Sequence, residues 1–308
     1  MQHYDVAIVG GGPAGLTAAM TLSRSLRRVV VLEAPGPPRN DASHGMHGIV
    51  GLDGVSPAEY RRRAWADLAG YGMAELRETE VADVVPAAGG FDVVAGDGAR
   101  VWARRVLLAP GMIDVHPEVE GFAECWGRTV IHCPFCMGWE NRDRAWGVVT
   151  SDLEFARTAA AGFAAWSDNV VVFADGPMPA GEHGMEVVEG RIRRLHHADG
   201  DLRAVELEDG RAVVRQTLLW QPGQRPVPLV AGLVERLGLT VREDCYVKVD
   251  GCCRTSVPGL YAAGDLVMEE QSAAEAAASG STAAFQIIED TARPTAPAGG
   301  IGDSPPGG

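Results

Sequence analysis

Residues 5–33 read DVAIVGGGPAGLTAAMTLSRSLRRVVVLE. The β-branched run Asp5 to Val9 predicts a strand, Gly10-Gly11-Gly12-Pro13-Ala14-Gly15 a tight turn, and the Ala-rich stretch Leu16 to Leu26 a helix. Val29-Val30-Val31-Leu32 predicts a second strand that closes on Glu33, 18 residues past Gly15. Strand, glycine turn, helix, strand and acid in this register make up the βαβ dinucleotide fingerprint. The glycines permit a tight turn and close backbone approach, the helix N-terminus meets a pyrophosphate, and the carboxylate takes ribose hydroxyls.

Outward from this unit, 308 residues suffice for two domains with ample core. With 46% apolar and 22% charged residues the chain has a globular composition, and no apolar run approaches the ~20 residues of a membrane span, so no membrane partner is expected. The 27 basic against 41 acidic residues leave a net charge of −14, which argues against a grip on phosphate backbones and excludes nucleic acid as an expected partner. Six cysteines, at 125, 133, 136, 245, 252 and 253, are too few and too unevenly spaced for a disulfide scaffold, and read as cytosolic chemistry. The opening MQHYDVAIVGGG shows no basic region and no cleavage site, so a cytoplasmic location is expected.

Pro35 to Gly54, rich in Gly, Pro, His and Asn, predicts a long loop that wraps a cofactor. A helix is predicted over Pro57 to Gly70, strands over Glu80 to Val85, Phe91 to Ala95 and Val101 to Ala103, and a further strand at Val106 to Leu108 that ends in Ala109-Pro110-Gly111. Pro117 to Trp126 reads as a connector. A second βαβ outline follows, with a strand at Ala145 to Thr150, a helix at Glu154 to Ala165 and a strand at Asn169 to Ala174. Strand-like segments continue through Glu186 to Trp220, and Gly259 to Asp265 is again strand then glycine, followed by a long helix from Glu269 to Asp290. The expected fold class is α/β, two Rossmann-like three-layer domains with the second inserted into the first. Residues 1–116 and 241–292 would form the cofactor domain, 117–240 the central domain, and the Pro/Gly-rich 293–308 a disordered tail.

Cys133-Pro134-Phe135-Cys136 is a C-x-x-C beside βαβ patterning, a setting that reads as redox chemistry. A zinc site would need two further ligands, with only His132 or the distant Cys252-Cys253 as candidates, so no metal is expected. A pair that is simply buried is the other alternative. The remaining cysteines read as structural.

Taken together, Gly10 to Gly15, Glu33, Ala109-Pro110-Gly111, His132-Cys133-Pro134-Phe135-Cys136-Met137-Gly138-Trp139-Glu140 and Thr255 to Asp265 resemble the low-molecular-weight thioredoxin reductases, over nearly the whole chain to about residue 290. Within that superfamily the Cys-Pro-Phe-Cys-x-Gly-Trp-Glu run is most similar to FAD-dependent dithiol oxidases that close disulfides in natural products such as gliotoxin and holomycin. The resemblance implies FAD in the first domain, with Gly12 and Gly15 at the pyrophosphate, Gly10, Pro13 and Ala14 among the cofactor-binding residues, and Glu33 at the ribose. It further implies Arg39, Asn40 and His47 near the cofactor, Val81 at the adenine through its backbone, and Gly111 at the second glycine turn. Gly264-Asp265 would meet the ribityl or phosphate end and Gln271-Ser272 the isoalloxazine. A homodimer is the family's habit.

Two departures bear on function. The second βαβ unit of thioredoxin reductases has its own glycine turn for NADPH, whereas here the stretch reads Gly147-Val148-Val149-Thr150-Ser151-Asp152-Leu153-Glu154. Two carboxylates would stand where a pyrophosphate needs N–H groups, which argues against NADPH. Electrons would then enter from a small-molecule dithiol and leave through the flavin to O2, giving hydrogen peroxide. The other departure is Met137, where the reductases place an aspartate and the natural-product oxidases commonly a histidine; methionine carries no proton, so His132 is the expected acid–base group, with Glu140 as substitute. In the expected mechanism a substrate thiolate attacks the Cys133–Cys136 disulfide, forms a mixed disulfide at Cys133, and is resolved by the second substrate thiol. An NAD(P)H-dependent reductase of a thioredoxin-like protein, or a flavin-binding scaffold in a biosynthetic complex, are the alternatives.

Overall fold

A computed structural model describes residues 2–39, 41, 45–174, 176 and 185–292. Asn40 and the tail 293–308 therefore lie outside the described residues. The chain opens with β1 (Gln2–Val9), α1 (Pro13–Arg24) and β2 (Val29–Glu33). Pro13 takes the first helical position, where its missing N–H costs nothing. The helix ends two residues before the predicted Leu26, because Leu26 adopts a left-handed φ of 58° and the Arg27 N–H turns back to the Leu22 carbonyl at 3.0 Å.

After the long loop come α2 (Pro57–Ala69), β3 (Ala74–Glu78), β4 (Val81–Ala87), β5 (Gly90–Ala95) and β6 (Arg100–Leu108). Ser56 caps α2 by accepting the Glu59 N–H at 3.2 Å. The two strands predicted at Val101 to Ala103 and Val106 to Leu108 are one. β6 pairs antiparallel with β5 through its first half and parallel with β17 (Leu260–Ala262) through its second, so the ladder carries the backbone across Arg104-Arg105. The sheet order is β3-β2-β1-β6-β5-β4, with β17 beside β6. Successive residues of the central strands face opposite sides: Val6 and Ile8 pack with Leu16, Ala18 and Leu22 of α1, while Ala7 and Val9 face Val84, Val93 and Leu233. Val6, Ala7 and Ile8 are wholly buried, and each buried aliphatic side chain of the size of Val or Ile contributes about 1.5–3 kcal/mol.

The middle of the chain runs β7 (Met112–Val115), α3 (Phe122–Cys125), β8 (Val130–Ile131), α4 (Pro134–Met137), β9 (Trp146–Thr150), α5 (Leu153–Gly162), β10 (Val170–Ala174) and β11 (Val187–Glu189). It continues as β12 (Ile192–Ala198), β13 (Asp201–Leu207), β14 (Ala212–Val214), β15 (Thr217–Trp220) and β16 (Gly223–Pro226). A parallel sheet in the order β11-β10-β9-β15-β8 carries the cysteine motif at one edge, and β12-β13-β14 form an antiparallel sheet beside it. β7 and β16 pair antiparallel, so one two-stranded ribbon carries the chain both into and out of this block.

The chain closes with α6 (Pro228–Leu237), β17 and α7 (Ala273–Ala292). α7 starts later than the predicted Glu269 because the Ser272 hydroxyl accepts the Glu275 N–H at 3.1 Å and fixes the helix start there. α7 lies on α1. A Cβ on Gly280 would stand 2.1 Å from the Ala14 carbonyl oxygen, so only glycine lets the two backbones come this close. Among the described residues no helix is long and apolar enough to cross a membrane.

Candidate active site

A cavity opens at the C-terminal ends of β1, β2, β6 and β17, between the head of α1 and the head of α7. Gly10, Gly12, Pro13 and Ala14 line it on one side. Gly12 is the N-cap of α1 and has no side chain to bond the first-turn N–H groups, and a Cβ placed on it would meet nothing within 4 Å. The helix therefore presents open donors and the positive end of its dipole to the cavity. Glu33, at the end of β2, accepts the Gly11 N–H and is paired with Arg61 of α2, whose Nε also donates to the Gly11 carbonyl at 3.4 Å. Arg61 was not anticipated. The only signal for it is the Arg61-Arg62-Arg63 run, which reads as a solvated helix face until the fold brings α2 over β2.

The opposite wall holds Gly111, Gly264, Asp265, Gln271 and Ser272, with Arg39 and His47 from the long loop. Arg39 is a hub. Its Nε and Nη2 donate to Asp114 at 2.7 and 2.6 Å, and its Nη1 donates to Asp265 at 2.8 Å and Gln271 at 2.6 Å. Gln224 of β16 donates to both Asp114 and Gln271, each at 2.9 Å. Burial disfavours the Arg39 charge, yet Asp114 and Asp265 outweigh it and raise its pKa. Burial likewise works against the Asp114 carboxylate but Arg39 prevails and lowers its pKa, whereas for Asp265 burial wins and the pKa is raised.

The cysteine motif enters from the other sheet. β8 delivers His132 and Cys133, and Pro134 starts the single turn of α4 that folds Cys136 back against Cys133. Both cysteines are free thiols, and Cys136 faces the cavity. The Cys136 thiol lowers the Cys133 pKa to about 7, overcoming partial burial with help from the Cys136 and Phe135 N–H groups. Cys133 in turn pushes Cys136 up, as do burial and the charges of Cys133 and Asp265. Phe135 is 83% and Trp139 67% exposed, so both stand out from the surface beside the pair. Met137 is buried, packed with Ile131 and Trp146.

His132 lines the cavity but does not suit the acid–base role expected of it. Burial, reinforced by the Arg39 charge, depresses its pKa to about 4, so the imidazole is neutral at physiological pH. A second histidine of the lining, His47, has its Nδ1 3.3 Å from both Asp53 carboxylate oxygens and its Nε2 3.5 Å from Glu140. Two other residues expected at the cofactor, Gly15 and Val81, are not in the cavity lining. Gly15 does not reach the cavity; a Cβ there would stand 2.0 Å from the Gly10 carbonyl oxygen, so its task is helix-to-turn packing. Val81 begins β4 with its side chain in the core and is not among the residues lining the cavity; the contact expected of it is through its backbone.

At the second βαβ unit the helix N-terminus is already filled. Asp152 is the N-cap of α5 and accepts the N–H groups of Glu154 at 2.8 Å and Phe155 at 3.0 Å.

A family model for pyridine nucleotide-disulphide oxidoreductases matches residues 4–151 and 181–280. Thioredoxin reductase tcpT of Claviceps purpurea (strain 20.1) is 34% identical over 281 residues, 85% of this chain and 86% of that protein. Thioredoxin reductase sirT of Leptosphaeria maculans is 30% identical over 289 residues, again 85% and 86%. The crystal structure of HlmI matches with a TM-score of 0.83 at 34% identity, covering 94% of this chain and 93% of that one. A putative thioredoxin reductase TrxB from Bacillus anthracis matches with a TM-score of 0.85 at 26% identity, over 94% and 98%.

Proposed function

Because the chain belongs to the pyridine nucleotide-disulphide oxidoreductase family, in its thioredoxin-reductase-like branch, we propose that it is an FAD-dependent dithiol oxidase that closes a disulfide in a small apolar natural-product dithiol, with O2 as electron acceptor. Members of this branch are FAD-binding flavoproteins. The residues fit that cofactor: uncapped N–H groups at the head of α1, the Glu33 carboxylate at one end of the cavity, and Asp265, Gln271 and Ser272 at the other. A bound FAD would supply a two-electron acceptor for the reduced cysteines and a route for those electrons to oxygen, with hydrogen peroxide as the product. Residues 1–116 and 241–292 are assigned to holding it, and 117–240 to carrying the cysteine pair.

The chain's own part is thiol–disulfide exchange. A substrate thiolate attacks Cys133 Sγ, a substrate–Cys133 bond forms, and the Cys133–Cys136 bond breaks with its electron pair on Cys136. The second substrate thiol then attacks the substrate sulfur of the mixed disulfide and expels Cys133 as thiolate. Its lowered pKa of about 7 makes Cys133 the better leaving group of the two cysteines. Exposed Phe135 and Trp139 give an apolar approach to that sulfur.

The observation that carries an oxidase rather than an NAD(P)H-dependent reductase is the Asp152 cap. A pyrophosphate at the head of α5 would have to displace a carboxylate from the N–H groups it needs and lie against its charge. The test is anaerobic: the purified yellow protein is treated with a small dithiol, separately with excess NADPH, and the flavin absorbance is followed before air is admitted. The expected result is bleaching by the dithiol alone, with colour and peroxide returning in air. Rapid bleaching by NADPH overturns the reading in favour of a reductase.

A further inference from the structure

Gly11 stands just before the N-cap of α1 and is held from two sides. Its N–H donates to Glu33 Oε2, and its carbonyl accepts Arg61 Nε at 3.4 Å. Arg61 Nη2 pairs with the other Glu33 oxygen, Oε1, so the end of β2, the glycine turn and α2 are tied together at one point. A Cβ on Gly11 would stand 3.1 Å from Glu33 Oε2, a measure of how closely carboxylate and turn are packed. Glu33 and Arg61 both line the cavity, with side chains only 23% and 19% exposed.

Arg61 differs from its neighbours on α2. Arg62 and Arg63, 68% and 52% exposed, both pair with Glu59 of the same helix, whereas Arg61 leaves the helix for the cavity wall. The helix does not need that contact to stay in place. Tyr60, Ala64 and Trp65 pack against the cluster that α1 shares with the sheet, and Leu68 is wholly inside it. The guanidinium therefore serves the cavity and not the attachment of α2.

We propose that Arg61 is a positioning residue for the adenosine half of FAD, fixing the Glu33 carboxylate against the glycine turn and offsetting its charge. The inference rests on FAD as the occupant of this cavity and not on the direction in which electrons run through it. Each carboxylate oxygen has two acceptor sites, so Glu33 can hold Gly11 and Arg61 and still accept the hydroxyls of a ribose. Pinned at both oxygens, its side chain gives up rotamer freedom before the cofactor arrives, which lowers the entropic cost of binding. The charge acts in the same direction. Beside the open N–H groups at the head of α1, an unpaired Glu33 would repel an anionic diphosphate, and the Arg61 guanidinium offsets that repulsion.

The experiment is calorimetric titration of the full chain, stripped of flavin, with FAD, for wild type, R61M, R62M, E33Q and the double variant E33Q/R61M. Differential scanning calorimetry of each flavin-free protein reports on the fold. R61M is expected to weaken FAD binding by about 10–100-fold, the loss of one charge-assisted contact, with the flavin-free Tm within about 2 °C of wild type. R62M binds FAD as wild type does. In the E33Q background the further loss caused by R61M shrinks to about twofold or less, because the carboxylate that Arg61 holds is gone. If R61M fails to fold, R61K decides: it keeps the charge without the fork that reaches both Glu33 and Gly11, and a weakening of about threefold or more supports the assignment while wild-type affinity overturns it. An R61M protein that binds FAD like wild type, losses from E33Q and R61M that multiply, or a weakening matched by a fall of several degrees in the flavin-free Tm overturns the assignment of Arg61 and leaves FAD in the cavity. A wild-type protein that takes up no FAD refutes the place of the cofactor in this cavity, and the part of Arg61 with it.

Discussion

Replacing Arg39 by methionine keeps the length of the side chain and removes the guanidinium that joins Asp114, Asp265 and Gln271. The Asp114 side chain is only 6% exposed and that of Asp265 21%, so two carboxylates are stranded in a poorly solvated wall. Breaking one member out of a buried ion pair costs about 3–5 kcal/mol. Gln224 still donates to Asp114 at 2.9 Å, which places R39M near the lower end, at about 3 kcal/mol. At ~2 °C per kcal/mol for a chain of this size, Tm falls by about 6 °C. The sign with pH follows from the carboxylates. Arg39 holds the folded pKa of Asp114 below its ordinary value, so the wild-type stabilisation is present above about pH 4 and is lost only as pH falls through the depressed value. In R39M the stranded carboxylates take up protons at higher pH than in the unfolded chain, which relieves the penalty as the solution is acidified. The deficit should therefore be widest at pH 7–8 and narrow towards pH 5. Differential scanning calorimetry of both proteins, with FAD and stripped of it, separates this from loss of cofactor. R39K, which restores charge without the planar fork, should recover less than half. A Tm within 1 °C of wild type, or a deficit that does not change with pH, would refute the view of Arg39 as the electrostatic keystone of this wall.

Two further outcomes are open to simpler measurement. Alkylation of Cys133 in the reduced protein should follow a thiolate titrating near pH 7, and C136A, which removes the donor, should move the midpoint upward because the Cys136 thiol is the largest stabilising influence on that thiolate; a wild-type midpoint above 8 contradicts the leaving-group argument. G280A should lower stability by about 1–3 kcal/mol and reduce flavin content, since the new methyl group meets the Ala14 backbone and the head of α7 must shift away from the cavity; normal flavin stoichiometry with an unchanged Tm would contradict this.

The parts of the fold legible in the sequence are those whose pattern is local. DVAIV, the glycine turn and VVVLE announce their structure because strand burial and helix propensity act over a few residues. β3 escaped notice: AELRE carries three charges in five residues and is a strand only because β2 offers an unpaired edge. β7 and β16 are four residues each and pair across more than a hundred positions, which no local pattern encodes. The site divides the same way. Glycine turn, Glu33 and C-x-x-C stand out by residue type and spacing, whereas the Arg39–Asp114–Gln224 hub, the Arg61–Glu33 pair and the His47–Glu140 approach arise only when distant segments meet. The burial that sets the charge of His132 likewise cannot be read from its neighbours in the chain.

The wall formed by Gly264, Asp265 and the head of α7 has a bearing on how the protein is made. Pro13 and Ala273, which start α1 and α7, are 260 residues apart in the chain yet lie on the same cavity. At ribosomal speeds of ~5–20 residues per second, the glycine turn waits about 13–50 s for its other half to be synthesised. Throughout that interval α1 lacks its α7 neighbour at Ala14, and no complete pocket exists for a flavin to enter. The block between β8 and β15, whose strands pair among themselves, can close first. A complete flavin pocket thus exists only once nearly the whole chain has been made, which sets cofactor uptake late in the protein's synthesis.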